Sequence, residues 1–362
     1  MKLAEKITAL AVMTAITAAS AAAVFNGNFF RNMADISSEK LLEGGFADEL
    51  AEKTADSFPF AKELRAVAAE IGAKAGEPVV NRVYISEDRL LSADEYSLSA
   101  ADNCTAAVNA FSAGYEGAVY FTAVPTSTGI YGDSLPSYLL PVTEKQLTER
   151  IYEGMSSDIR KIDAYTILKN LSENYIYYRS DTKWTSYGAY CVYRTVIQKL
   201  GFIPVPYDKY AIRHVTDSYR GNLYNRTGYM ESRADILDIY EYDDGTEIIS
   251  CTGIDSQGVS HEISLYDMEA AESENPYDLY LGEPMEFVEI KTTVNNEKAL
   301  LVIGDETADC FIPFLTKHYS EIAIASADNF EQVLEKYTDT KKYEQTLFIL
   351  GMEHIAENYR GE

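Results

Sequence analysis

Histidine is scarce in this chain: four residues in 362, at His214, His261, His318 and His354. None falls in the two stretches that otherwise look chemical, so those stretches lack the usual general base. Basic residues are also few, 31 Lys and Arg against 57 Asp and Glu, for a net charge of −26. That balance repels nucleic-acid phosphates and anionic lipid and argues against a polynucleotide partner. Cysteine is limited to Cys104, Cys191, Cys251 and Cys310, with no CxxC pair, which argues against a zinc cluster. Cys191 and Cys310 fall on predicted apolar helix faces and read as small buried hydrophobes. An even count still permits disulfides. No internal repeat or low-complexity tract is visible, and no metal or cofactor is expected.

Apolar residues make up 46% of the chain, enough for a substantial core in one large domain or two ordinary ones. An uncharged stretch from Ile7 to Phe25 follows Lys2 and Lys6 and carries small residues at Ala19, Ala21 and Ala23. This is an export pattern. Its length suits either a cleaved signal peptide or an uncleaved anchor at residues 1–25, and both place the body outside the cytoplasm.

Residues 26–78 read as a membrane-proximal helical collar, two short amphipathic helices broken near Pro59. The main domain is expected over 79–362. VVNRVYIS, AVYFTAVP, ALLVIG, EIAIAS and TLFIL are short apolar or β-branched runs, typical of strands buried on both faces. Helices are expected between them over Ala100–Ala113 and Thr143–Glu153. The pattern is that of an α/β sandwich with a mostly parallel sheet. Between about 225 and 297 the texture changes: DILDIYEYDDGTEIISCTG alternates about an Asp-Asp-Gly turn, which predicts a hairpin or small meander within a β-rich insertion.

Two stretches could carry chemistry. In KALLVIGDETADC a strand turns at Gly304 and Asp305 into a predicted helix near Thr307, which places Glu306 at the C-terminal edge of a parallel sheet. A serine there would be a nucleophile; a glutamate can equally be a plain helix N-terminal acid. In YYRSDTKWTSYGAY, Asp181 and Lys183 are two apart and would share one face of an extended segment. Thr185 or Ser186 is poised to cap the helix that follows. A solvated Asp/Lys pair at a helix entrance is the simpler alternative. His318, in HYSEI, reads as structural.

Six blocks in order, LLEGGFADELAEKTADSFPF, NRVYISEDRLL, VYFTAVPTSTGIY, YYRSDTKWTSYGAY, YRGNLYNRTGY and NPYDLYLGEP with LLVIGDETADCFIPFLTKHYSEI, resemble the DHHW family. These are relatives of alginate O-acetylation proteins with an SGNH-hydrolase-like catalytic domain. The resemblance implies a three-layer α/β fold and a triad whose acid falls at Asp181, whose histidine falls at Lys183 and whose serine falls at Glu306. Only the acid keeps its type. Leu281-Gly282-Glu283-Pro284 also departs from the family's Gly-Asn block, which removes a candidate oxyanion donor. Asp305, Trp184, Arg179 and Tyr131 are the expected substrate contacts, with a cell-surface polysaccharide and a membrane acyltransferase as implied partners. A pseudoenzyme follows, with a Lys183–Glu306 salt bridge closing the old site. The alternative is an O-acetyltransferase or acetylesterase working through a non-standard site.

Overall fold

The computed structural model describes residues 61–76 and 78–360. The export stretch and the first collar helix lie outside the described residues. Among those described, no helix is long and apolar enough to cross a membrane. Among the described residues, those from Ala61 to Asn81, with Arg226–Glu231, form one compact unit, and Arg82–Asn225 with Ser232–Arg360 form a second. The first unit carries the helix Ala61–Ala75, which ends at Gly76 with φ +84. A left-handed residue there releases the chain from the helix without a Cβ penalty.

The second unit is organised around an eight-stranded sheet. Its strands in chain order are β1 (Ala118–Val124), β2 (Arg160–Lys161), β3 (Ile248–Ile254), β4 (Ser260–Glu262), β5 (Phe287–Thr292), β6 (Ala299–Gly304), β7 (Glu321–Ser326) and β8 (Gln345–Gly351). The spatial order is β2-β1-β8-β6-β7-β5-β3-β4. From β2 to β7 every pairing is parallel; β5, β3 and β4 continue the sheet antiparallel. Both edges are short and carry charge: Arg160–Lys161 at one, Ser260–His261–Glu262 at the other.

Why the central runs are apolar without alternation follows from the layers. Along β6, Leu300 and Val302 enter one core with Trp184, while Leu301 and Ile303 enter the other. Successive side chains leave opposite faces of a strand, so a sheet covered on both sides needs apolar residues at every position. One layer contains α3 (Ser186–Lys199); the other contains α1 (Leu98–Gly114), α2 (Glu144–Gly154), α4 (Phe330–Tyr337) and α5 (Met352–Asn358). Side chains close the exposed N–H groups at several starts. Thr143 and Gln146 form a reciprocal capping box on α2, and Thr185 accepts from Gly188 N at the start of α3, a satisfaction worth about 1 kcal/mol per cap.

Two expectations change. Asp235–Glu241 and β3 flank the Asp-Asp-Gly segment but do not form a hairpin: the first pairs antiparallel with Ala211–Tyr219, the second joins the main sheet. Lys317 explains the separation physically, since its ammonium holds Asp244 at 3.1 Å and the carbonyl of Thr246 at 3.2 Å, fastening the connection as it crosses between sheets. Nor is VVNRVYIS one strand. Asn81 and Arg82 take positive φ of 48 and 56, the backbone of a tight turn, and Val83–Ile85 pairs with Leu90–Ser92 outside the main sheet. All four cysteines are free and buried.

Candidate functional site

The stretch around Asp181 is a tight loop. Tyr177 and Trp184 bridge in antiparallel fashion at its base, and Tyr178 N donates to the Lys183 carbonyl at 3.3 Å. A buried carboxylate, Asp235, clamps the loop from outside. It accepts from Arg179 N and Ser180 N at 2.9 Å, from Ser180 Oγ at 2.6 Å and from Tyr175 OH at 2.7 Å. Inside the loop, Asp181 accepts from Tyr219 OH at 2.5 Å, Asn222 N at 3.1 Å and Lys183 N at 3.1 Å. The last bond makes residues 181–183 an Asx-type turn and not the extended segment expected. Even so, both side chains reach one site. Gly221 is required beside it, because a Cβ there would stand 2.0 Å from Asp181 Oδ2.

The second stretch leaves β6 at Gly304. Asp305 ties it to the end of β8, accepting from Gly351 N at 3.0 Å, and also accepts from Thr307 Oγ1 at 3.1 Å. Glu306–Ala308 is a single 3₁₀ turn, and the helix beyond it is only Ile312–Leu315. The longer helix expected from Thr307 is absent, and Thr307 joins the cavity lining. Trp184 Nε1 donates to the Thr307 carbonyl at 2.8 Å, fastening the two stretches together.

Lys183 Nζ lies 3.2 Å from Glu306 Oε2 and 4.0 Å from Asp181 Oδ1. The salt bridge anticipated from the sequence is therefore present. Burial opposes charge on Lys183, but the carboxylates of Asp181, Glu306 and Glu353 outweigh it and hold the ammonium well above its ordinary pKa. Such a group cannot accept a proton at neutral pH. Glu353, on α5, accepts from Thr182 Oγ1 at 2.7 Å. Its carboxyl is pushed up to about 7, chiefly by burial. Burial and the neighbouring Glu306 and Glu283 charges likewise push Asp278 up to about 6, and Asp309 is raised well above its ordinary value by burial with Glu306 and Asp305.

The bridge does not close the site. A cavity of about 500 Å³ remains, lined by Asp181, Lys183 and Glu306 together with Leu281–Met285 and Ser326. Asp305 belongs to this lining, but the other expected substrate contacts lie off it. Trp184 is fully buried and stacks on Phe311 with an interplanar angle of 11°. Arg179 turns to Asp235 at 3.5 Å. Tyr131 lies under the Arg89 guanidinium, 3.4 Å from its ring centroid.

Sequence reasoning missed residues that the sheet brings in. His354 and Glu353, just past the end of β8, line the same cavity. The available signal was the parallel strand TLFILG running directly into Met-Glu-His, which puts those side chains at the edge where Gly304-Asp305 emerges. Asp235 had no signal beyond its place in an alternating strand. His318 is structural: its Nε2 lies 2.6 Å from Tyr193 OH, and burial pushes its pKa down to about 4. No group of three or more His, Cys, Asp or Glu among the described residues is placed to hold a metal ion.

A mostly parallel sheet between helical layers, with a carboxylate, a lysine and a second carboxylate gathered at its C-terminal edge, defines a three-layer α/β architecture with a charged site. The sequence matches the DHHW protein family over residues 33–325, and the chain belongs to that family. Among solved structures it is similar to a DHHW family protein from Eubacterium siraeum, with 18% identity, a TM-score of 0.63 and coverage of 78% of this chain and 94% of that one. It is also similar to Bacillus cereus PatB1, solved with a sulfonyl adduct, with 19% identity, a TM-score of 0.63 and coverage of 76% and 96%. At these identities the likeness establishes the fold. Among curated proteins none matches the sequence.

Proposed function

We propose that this chain acts outside the cytoplasm in cell-surface polysaccharide modification, as a glycan-binding or accessory relative of O-acetyltransferases that has lost acyl transfer. The observation that carries the reading is the 3.2 Å contact between Lys183 Nζ and Glu306 Oε2, at the two positions where the family resemblance puts base and nucleophile. Acyl transfer needs a nucleophile activated by a base, with donors facing a developing oxyanion. Here the base position holds a permanent cation and the nucleophile position an anion that would repel the oxyanion. Meanwhile the open cavity of about 500 Å³ is of a size to bury a saccharide unit. An accessory role beside a membrane acyltransferase, and export by the N-terminal segment, belong to the same proposal.

A chromogenic acetyl ester tests the loss of chemistry: the purified chain should give no turnover above background. Robust turnover abolished by Lys183→Ala would overturn the reading. Glu306→Ser combined with Lys183→His is the constructive counterpart and should bring back measurable hydrolysis, because Asp181 keeps its bonds to Tyr219 and Asn222.

A further inference from the structure

Ala211–Tyr219 and Asp235–Glu241 form a two-stranded ribbon separate from the main sheet. One edge of it is closed by side chains. Ile236 N donates to Tyr175 OH at 3.3 Å, the Asp238 carbonyl accepts from Ser186 Oγ at 2.9 Å and Tyr280 OH at 2.8 Å, and the Tyr240 carbonyl accepts from Tyr266 OH at 3.1 Å. These bonds fix which way the peptide groups point. Main-chain groups alternate sides along a strand, so those of Leu237, Ile239 and Glu241 face Ala211–Tyr219. Ala211 lies opposite Glu241 and Arg213 opposite Ile239, which turns the N–H and C=O of Ile212 and His214 to the far edge. No third strand follows there, Ala211–His214 are exposed, and none of these four groups has a hydrogen-bond partner among the described residues.

Open edges are ordinarily blunted by unpaired charge or by a cover. The charges on this one are neutralised within the ribbon, Arg213 by Glu241 at 3.7 Å and His214 by Asp238 at 2.5 Å. Its flank is apolar. Ile212, 36% exposed, lies across from Tyr240, and the 42% exposed Tyr207 sets its ring 6.1 Å from that of Tyr240 and 5.4 Å from that of Tyr187. An apolar shelf thus borders the free peptide groups on the face shared by Ile212 and His214. Unpaired main-chain groups beside such a shelf make a strand-acceptor site, where the backbone gives affinity and the shelf selects a side chain.

The regular stretch ends at His214, because the register shifts before Thr216 and such a bulge stops longer pairing. That short length decides against a second copy. Two-fold pairing about Arg213 sets two arginines opposite each other. Pairing about Ile212 needs Tyr210 N, which already donates to the Tyr207 carbonyl at 3.2 Å, and pairing about His214 needs Thr216, which lies opposite Leu237. Two copies would also join charges of −26 each, and residues 26–60 of the chain are themselves acidic, with seven carboxylates against three cations. Asp208 and Asp217, exposed before the edge and near its far end, form no ion pair among the described residues. We propose that Ile212 and His214 accept an extended, net-positive segment of a partner protein as a third strand of the ribbon. An apolar side chain opposite Ile212 rests on Tyr207, and basic residues at the segment's ends meet Asp208 and Asp217. The site is independent of what the cavity binds.

Amide hydrogen exchange of the full chain, in about 0.15 M salt to screen diffuse attraction, tests the proposal with the end-blocked peptide Lys-Thr-Val-Thr-Val-Thr-Lys. At about 1 mM, with a Kd of about 0.1 mM, the peptide should slow exchange at Ile212 and His214 by about tenfold. The same peptide N-methylated at both valines keeps its charge and side chains but loses the donors, and should bind at least about tenfold more weakly. His214→Pro removes only an outward N–H, which an edge strand tolerates; it should fold and yet weaken the peptide several-fold, as should Ile212→Ser through loss of the shelf. Unchanged exchange at the two amides, or equal binding of the N-methylated peptide, would overturn the strand addition. Equal binding of the peptide with glutamate at both ends would overturn the basic partner. Protection of the two amides before any peptide is added would assign the edge to residues 26–60 or, where sedimentation shows a dimer, to a second copy, and either result defeats the proposal.

Discussion

Replacing Lys183 by methionine removes the ammonium while keeping most of the apolar stem. The side chain is 15% exposed and its partner Asp181 2%, whereas Glu306 is 52% exposed. The two ends of the bridge are thus unequal. Without Lys183, the carboxylates of Asp181 and Glu353 face one another away from bulk water, and breaking a buried charge set in this way costs about 3–5 kcal/mol. For a body of this size, about 2 °C of melting temperature accompanies each kcal/mol, so a fall of about 6–10 °C is expected near pH 8. The sign of the pH effect follows from linkage. Glu353 is already pushed up to about 7 by burial, and losing the cation raises it further. A carboxyl whose folded pKa exceeds its unfolded value costs stability as pH rises from the unfolded value through the folded one. The deficit of Lys183→Met against the parent chain should therefore be largest near pH 8 and shrink toward pH 5, where Glu353 takes up its proton. Differential scanning calorimetry at the two pH values measures it. Glu306→Gln, by contrast, should change stability by less than about 1 kcal/mol, as expected for an exposed partner. A pH-independent deficit, or one equal in the two variants, would refute the argument that buried like charges dominate the site.

Three further outcomes are expected. Asp235→Ala should destabilise the fold by about 3–5 kcal/mol and speed amide exchange at Arg179 and Ser180, whose N–H groups it accepts; unchanged exchange at those two amides would contradict the clamp. Gly221→Ala should displace Asp181, since the added Cβ would sit 2.0 Å from Oδ2, and a thermal midpoint within about 2 °C of the parent would show that the contact relaxes freely. His318, pushed down to about 4 by burial, favours folding above its unfolded value of about 6.5 and penalises it by up to about 3 kcal/mol as pH falls toward 4. A His318→Gln variant should therefore lose less stability than the parent between those limits in denaturant titrations.

The central strands were legible because burial on both faces leaves continuous apolar runs, and ALLVIG, EIAIAS and TLFIL all form parallel strands of one sheet. The cap at Thr185 was legible because it acts locally. Pairing between distant segments was not. The alternation in DILDIYEY and EIISCTG reports half-covered strands but carries no address for the partner, and the Lys317 contacts that hold the connection between the two sheets join residues far apart in sequence. At the site, Asp181, Lys183 and Glu306 could be brought together through the resemblance. Their acidic surroundings could not, because Asp235 and Glu353 approach the loop only through tertiary folding. The same limit hid His354, which reaches the cavity through the juxtaposition of β8 with β6.

The two short edges of the main sheet bear on how such a chain behaves at high concentration. Eight strands side by side present a template on which another chain could extend the ladder, and long, flat, apolar edges nucleate fibrils. Here one edge is the two-residue Arg160–Lys161, with Lys161 Nζ held by the carbonyls of Tyr152 and Met155. The other is Ser260–His261–Glu262, exposed and polar, with His261 tied back to Asp255 at 2.8 Å. An incoming strand would find few unpaired peptide groups and would have to bury charge to reach them. Stopping growth at both ends protects this sheet from amyloid-type stacking even where folded copies are crowded together.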